Sequence, residues 1–150
     1  MKNILFLFIM CASLASVAQP AFEYTPSFSA IVVKNVNVSS TWYQSVFDLK
    51  VRDHMKDENA GYNVMILESP TFVMELLELK KSYNPKEGKA ADMRAQGLFK
   101  FGFKIKNIDD CLSHLAKLKI SVPQVYTDSK TNKRNFLITD PDGNLIQFFE

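Results

Sequence analysis

The segments Ala30-Ile31-Val32-Val33-Lys34-Asn35-Val36 and Gly102-Phe103-Lys104-Ile105-Lys106-Asn107-Ile108 follow one pattern: an extended apolar run, then Lys-Asn, then a β-branched residue, and each is then followed by a helical stretch. A unit written twice has to bury its apolar face against its own copy, so this repeat narrows the fold more than any composition can. The surrounding elements repeat in the same order. The first half reads as a strand (Phe28 to Val36), a helix (Ser39 to Phe47, with Ser39 or Ser40 as N-cap) and strands over Lys50 to Met55, Tyr62 to Glu68 and Thr71 to Leu79. The second reads as a strand (Phe99 to Lys106), a helix (Ile108 to Lys119) and strands over Ser121 to Thr127, Arg134 to Thr139 and Asn144 to Phe149. The expectation is an α+β chain of two tandem βαβββ modules, whose open four-stranded sheets pack edge to edge around a shared concave cavity.

The domain then spans residues 27–150, with half-repeats 27–79 and 99–150. The connector 80–98 carries Pro85, Gly88, Gly97 and many charges, with a helical turn expected around Ala90 to Arg94. It reads either as a solvated linker or as a cover over the cavity mouth. At 47% apolar and 23% charged, the chain has the composition of an ordinary globular domain. Its net charge of +2 is small and its lysines are interspersed with acids, which argues against a nucleic-acid partner.

Lys2 precedes an apolar run from Ile4 to Met10, and small residues follow at Ala12, Ser13, Ala15, Ser16 and Ala18. This is the layout of a secretory signal peptide over residues 1–18, with cleavage after Ala18 or Gln19 and an N-terminal arm over 19–26. A retained anchor is the competing reading, but the run falls short of the roughly 20 apolar residues a spanning helix needs. The expected address is periplasmic or secreted, with no membrane span after cleavage. Met10 before Cys11 is too bulky for a lipoprotein cleavage site, and removal of the signal leaves Cys111 as the sole cysteine, expected to be a buried, inert thiol.

In Asp140-Pro141-Asp142-Gly143, proline and aspartate suit the early turn positions and glycine the residue with φ > 0. Leu145 to Phe149 then read as a strand ending at Glu150. This ending resembles the C-terminal signature of the vicinal oxygen chelate superfamily, which holds glyoxalase I, bleomycin-resistance, fosfomycin-resistance and extradiol dioxygenase relatives. Trp42-Tyr43 stands where that superfamily commonly has Phe-Tyr, and Phe47-Asp48-Leu49 resembles its helix-ending Leu-Gly. The resemblance covers Ser27 to Glu150 and implies a glyoxalase-like open barrel. In metal-dependent members, four side chains from equivalent positions of the two halves hold one divalent ion. Carried onto this chain, those positions are Phe28, Glu75, Lys100 and Gln147, where the family mostly has His and Glu.

That quartet is a poor metal site. Phenylalanine has no lone pair, an ammonium has none to give, and an amide oxygen is a weak neutral ligand, which leaves Glu75 and Gln147 as weak candidates. No cofactor is expected, and a divalent metal is disfavoured. The histidines, His54 and His114, stand apart from the quartet. Strand alternation places Lys100, Gly102 and Lys104 on one face and the intervening phenylalanines on the other. Lys100 then either reaches Glu75 across the cavity, with Gln147 as a bridge, or extends outward while Glu75 meets another cation. Tyr62, Tyr126 and Arg134 are further cavity candidates for an aromatic or anionic ligand. The favoured function is metal-independent binding of an unknown small molecule. The alternatives are a lyase- or dioxygenase-like enzyme with a non-standard site, leaving catalysis open, or an interaction module that forms a homodimer.

Overall fold

The computed structural model describes residues 27–84 and 96–150; the expected signal peptide, the N-terminal arm and the helical turn near Ala90 lie outside these. The first module comprises β1 (Ser27–Val32), α1 (Val36–Phe47), β2 (Lys50–Asp57), β3 (Tyr62–Ser69) and β4 (Phe72–Leu79). The second comprises β5 (Lys100–Lys104), α2 (Ile108–Lys117), β6 (Val125–Thr127), β7 (Arg134–Thr139) and β8 (Leu145–Phe149). Each forms a four-stranded mixed sheet, in the orders β1-β4-β3-β2 and β5-β8-β7-β6. In each, the first strand runs parallel to the fourth and the remaining pairs are antiparallel. The expected α+β architecture of two βαβββ modules is therefore present, with two sheets that do not close into a continuous barrel.

The repeated Lys-Asn explains where the helices start. Asn35 accepts from the backbone N–H groups of Asn37 (3.0 Å) and Val38 (3.1 Å), and Asn107 accepts from those of Asp109 (2.9 Å) and Asp110 (3.2 Å). Both asparagines hold extended backbone angles and satisfy amides that the first helical turn leaves unpaired. The N-cap of α1 is thus Asn35 rather than Ser39 or Ser40, and both serines are buried inside the helix. Helix α1 ends at Asp48, whose left-handed backbone turns the chain into β2.

Alternation sorts the strands into two faces. Met65, Leu67, Met74 and Leu76 of the first sheet and Phe136, Ile138, Ile146 and Phe148 of the second share one core with Val36, Tyr43 and Val46 of α1 and Ile108 and Leu115 of α2. Aromatic rings join the halves across it: Phe47 lies 5.6 Å from Phe148, stacked, and Phe103 lies 4.7 Å from Phe47 and 5.0 Å from Phe72. Neither module can bury its helix-facing side without the other, which is the constraint the repeat imposes. The other face of each sheet lies outside this core. The shortest strand, β6, begins at Val125 rather than near Ser121, and residues 121–124 run as irregular chain.

The turn before β8 fastens the modules. Gly143 has φ +83°, as the turn chemistry requires, and Asp140 accepts from the N–H groups of Asp142 (3.0 Å) and Asn144 (2.7 Å). The opposite module then engages both aspartates. Tyr43 donates to Asp140 (2.7 Å), while Asp142 accepts from the Lys34 N–H and from the Ser39 hydroxyl, each at 2.7 Å.

Candidate functional site

The register defines the open faces. In the first sheet Phe28, Ala30 and Val32 of β1 stand beside Val73, Glu75 and Leu77 of β4, and these beside Glu68, Ile66 and Val64 of β3, with Tyr62 next in line. Val64 and Val73 are 6% and 8% exposed yet lie outside the common core, so the middle of this face is itself shielded. Phe28, at 61% exposure, marks its open margin. In the second sheet Lys100, Gly102 and Lys104 stand beside Leu145, Gln147 and Phe149, and β7 adds Thr139, Leu137 and Asn135, with Tyr126 opposite Asn135.

Most of the residues expected at a cavity therefore do lie on open faces. Phe28, Tyr62 and Glu75 belong to the first, and Lys100, Lys104, Tyr126 and Gln147 to the second. Phe101 and Phe103 turn to the core side, as alternation requires. A cleft of about 220 Å³ opens along the seam between the sheets, lined by residues 30–32 of β1, residues 98–101 and the start of β8, and it sets Lys100 beside β1.

Arg134 is the exception. It alternates with Asn135 and so projects to the helix side, where its guanidinium binds Asp109 of α2 through two hydrogen bonds (2.9 and 3.1 Å) and reaches Glu150 at 3.3 Å. These bonds hold Arg134 well above its ordinary range and Asp109 below its own. Arg134 is a brace between α2 and the end of β8, not a cavity residue. The pattern of β7 carried the signal, since Arg134 shares the parity of the core residues Phe136 and Ile138.

The expected reach of Lys100 to Glu75 is not made: among the described residues no ion pair joins them. Lys100 extends outward and is exposed, and Glu75 is half-buried beside Ala30 and Ile66. Gln147 bonds to Asn135 through its amide (3.1 Å) instead of bridging the sheets. Gly102 lies against the Gln147 backbone so closely that a Cβ there would come within 2.6 Å of the Gln147 carbonyl oxygen.

The donor chemistry at the four paired positions does not fit a divalent ion. Glu75 is the one anionic ligand, and Phe28 and Lys100 offer no lone pair. Among the described residues no three His, Cys, Asp or Glu side chains gather closely enough to hold a metal. His54 pairs with Asn63 (2.7 Å) and His114 with the Ser45 carbonyl (2.9 Å), so each has a local structural partner. Cys111 is half-buried, and loss of solvent pushes its thiol pKa up, away from nucleophilic chemistry.

The sequence description Glyoxalase/Bleomycin resistance protein/Dioxygenase superfamily matches residues 25–148, nearly the whole span of the two modules. The chain belongs to this superfamily. The uncharacterized protein YwbC of Bacillus subtilis (strain 168) is 27% identical over 132 residues, covering 81% of this chain and 94% of that one. The glyoxalase family protein from Enterococcus faecalis superposes with a TM-score of 0.67 at 18% identity, covering 82% of this chain and 94% of that one. The fosfomycin resistance protein FosX from Listeria monocytogenes superposes with a TM-score of 0.60 at 13% identity, covering 82% and 89%. At these identities the structural likenesses establish the superfamily fold, and the chemistry must be argued from this chain's own residues.

Proposed function

We propose that this chain is an exported, metal-independent binder of a small aromatic or anionic molecule, built on the glyoxalase/bleomycin resistance scaffold. One observation carries the reading. The positions paired by the repeat, Phe28 with Lys100 and Glu75 with Gln147, keep their places on the open faces while offering one carboxylate, one amide, one ammonium and one phenyl ring. Such a set recognises a ligand directly. The ammonium of Lys100 meets negative charge, Gln147 supplies an amide, and Phe28, Tyr62 and Tyr126 present ring surface to an aromatic group. The N-terminal sequence of Lys2, the Ile4 to Met10 run and Ala18 supports export.

Metal analysis of the purified protein, paired with thermal melting against a panel of small aromatic acids, tests the reading. The expected result is a metal-free protein whose melting temperature rises with one class of aromatic acid, and whose rise shrinks in Lys100→Met. Stoichiometric zinc, nickel, manganese or iron would overturn it in favour of a metal-dependent lyase or oxygenase.

A further inference from the structure

We propose a second binding site, for a phosphate-bearing small molecule, in the cleft between the β5–α2 connection and the β6–β7 turn. The cleft measures about 760 Å³, inside the usual span of small-molecule sites, and has room for a phosphate together with the organic group that carries it. Lys104, Lys106 and Lys133 line it, with Thr131, Asn132 and Glu150. These lysines come from two separate stretches of chain that the fold brings together, so sequence spacing alone does not reveal them.

None of the three ammonium groups has an ion-pair partner among the described residues. Glu150, which also lines the cleft, accepts from the Arg134 backbone N–H (3.1 Å) and from its guanidinium (3.3 Å), and its charge is felt by Lys133 as well. Three ammonium groups around one concavity outnumber the single Glu150 side-chain carboxylate, which Arg134 shares, so the cleft favours a multivalent anion.

The wall that presents Lys133 is set in advance. The Asp128 carboxylate accepts from the N–H groups of Lys130 (3.0 Å) and Thr131 (2.8 Å) and from the Thr131 hydroxyl (2.9 Å). The Asp128 N–H closes the turn onto the Lys133 carbonyl at 2.8 Å. A turn held this way loses little freedom when a ligand arrives. A phosphate concentrates two negative charges on one tetrahedral group where a carboxylate carries one, so compact ammonium point charges gathered around a concavity favour it. The site shares Lys104 with the open face, but Lys106 and Lys133 lie beyond the ends of β5 and β7, so it stands whether or not the open faces bind an aromatic ligand.

Calorimetric titration of the purified protein with inorganic pyrophosphate at low ionic strength tests the site, with citrate as the carboxylate comparison. Pyrophosphate is expected to bind, to weaken by about tenfold or more in Lys106→Ala/Lys133→Ala, and to recover in Lys106→Arg/Lys133→Arg. The control Lys117→Ala/Lys119→Ala, which removes the same charge elsewhere, is expected to bind as the parent does. No binding by the parent, equal loss in the control, or citrate binding as tight as pyrophosphate would each overturn the proposal. A melting curve for every variant separates lost binding from lost folding, and the aromatic-acid response of Lys106→Ala/Lys133→Ala, expected to be unchanged, keeps this outcome distinct from that of the open faces.

Discussion

Tyr43 donates its hydroxyl to Asp140 across 2.7 Å and so ties the first helix of one module to the turn that opens the last strand of the other. Asp140 is 5% exposed, and its remaining oxygen capacity is spent on the Asp142 and Asn144 N–H groups and on the Asn144 side chain (2.9 Å). The motif that resembles a superfamily signature thus works here as a clasp: one aspartate shapes the turn and receives Tyr43, while the other caps the chain entering α1. Burial, then the Asp140 charge and hydrogen bond, push the Tyr43 phenol pKa well above its ordinary range.

Removing the clasp has a signed pH consequence. The folded protein holds the phenol proton more tightly than the unfolded chain does. That stabilisation is complete below the ordinary tyrosine pKa of about 10 and is lost as pH rises beyond it. Tyr43→Phe is expected to lose about 1–3 kcal/mol near neutrality, because a buried carboxylate oxygen loses its donor. Above about pH 10 the parent should lose stability faster than the variant, by up to about 1.4 kcal/mol per pH unit. Urea unfolding of both proteins across neutral and alkaline pH measures the difference, and parallel curves would refute the linkage.

Gly102 is fixed by contact rather than by backbone conformation. A Cβ at this position would stand 2.6 Å from the Gln147 carbonyl oxygen and 3.2 Å from its Cβ, on the parallel neighbour β8. Gly102→Ala must therefore push β5 and β8 apart, and is expected to cost about 1–3 kcal/mol by the measure of overpacked sites. Chemical denaturation checks this. A neutral result would mean that β5, an edge strand, yields without cost.

The two asparagine caps offer a test of the repeat itself. Asn35→Ala and Asn107→Ala each free two helix N–H groups, and each is expected to cost about 1 kcal/mol. The caps share no partner, so the double variant should show the sum within about 0.5 kcal/mol. A markedly smaller loss at Asn107 would point to Asp109 and Asp110 in the first turn of α2 taking over the stabilisation of that helix end.

Local pattern made the modules legible. Alternation in Phe99 to Ile105 separated lysines from phenylalanines, whereas the first helix, expected from Ser39, begins at Val36 because Asn35 of the Lys-Asn repeat caps it in place of the expected serines. What did not show was anything set by two distant segments at once. The parity of Arg134 was visible, but its partner Asp109 sits on a helix whose orientation depends on the packing of both modules. The same holds for Lys106 and Lys133, which line one cleft only because the sheet brings the β6–β7 turn and the chain after β5 to the same end. Chain pattern fixes the face on which a residue stands; which residue stands opposite is decided by the sheet-to-sheet arrangement, for which a single sequence has no period.

Lys100 and Glu75 bring that distinction to a measurable point. They occupy two of the four positions that the superfamily resemblance assigns to metal ligands, yet Lys100 extends outward and among the described residues no ion pair forms between them. Had the two formed a buried pair, deleting one partner would strand the other's charge and destabilise the protein by several kcal/mol. With Lys100 solvated, Lys100→Met is expected to change stability by less than about 0.5 kcal/mol, and its coupling to Glu75→Gln in a double-mutant cycle should be close to zero. Denaturation midpoints of the parent, both single variants and the double variant supply the cycle. A coupling above about 1 kcal/mol would mean that Lys100 and Glu75 do meet in solution.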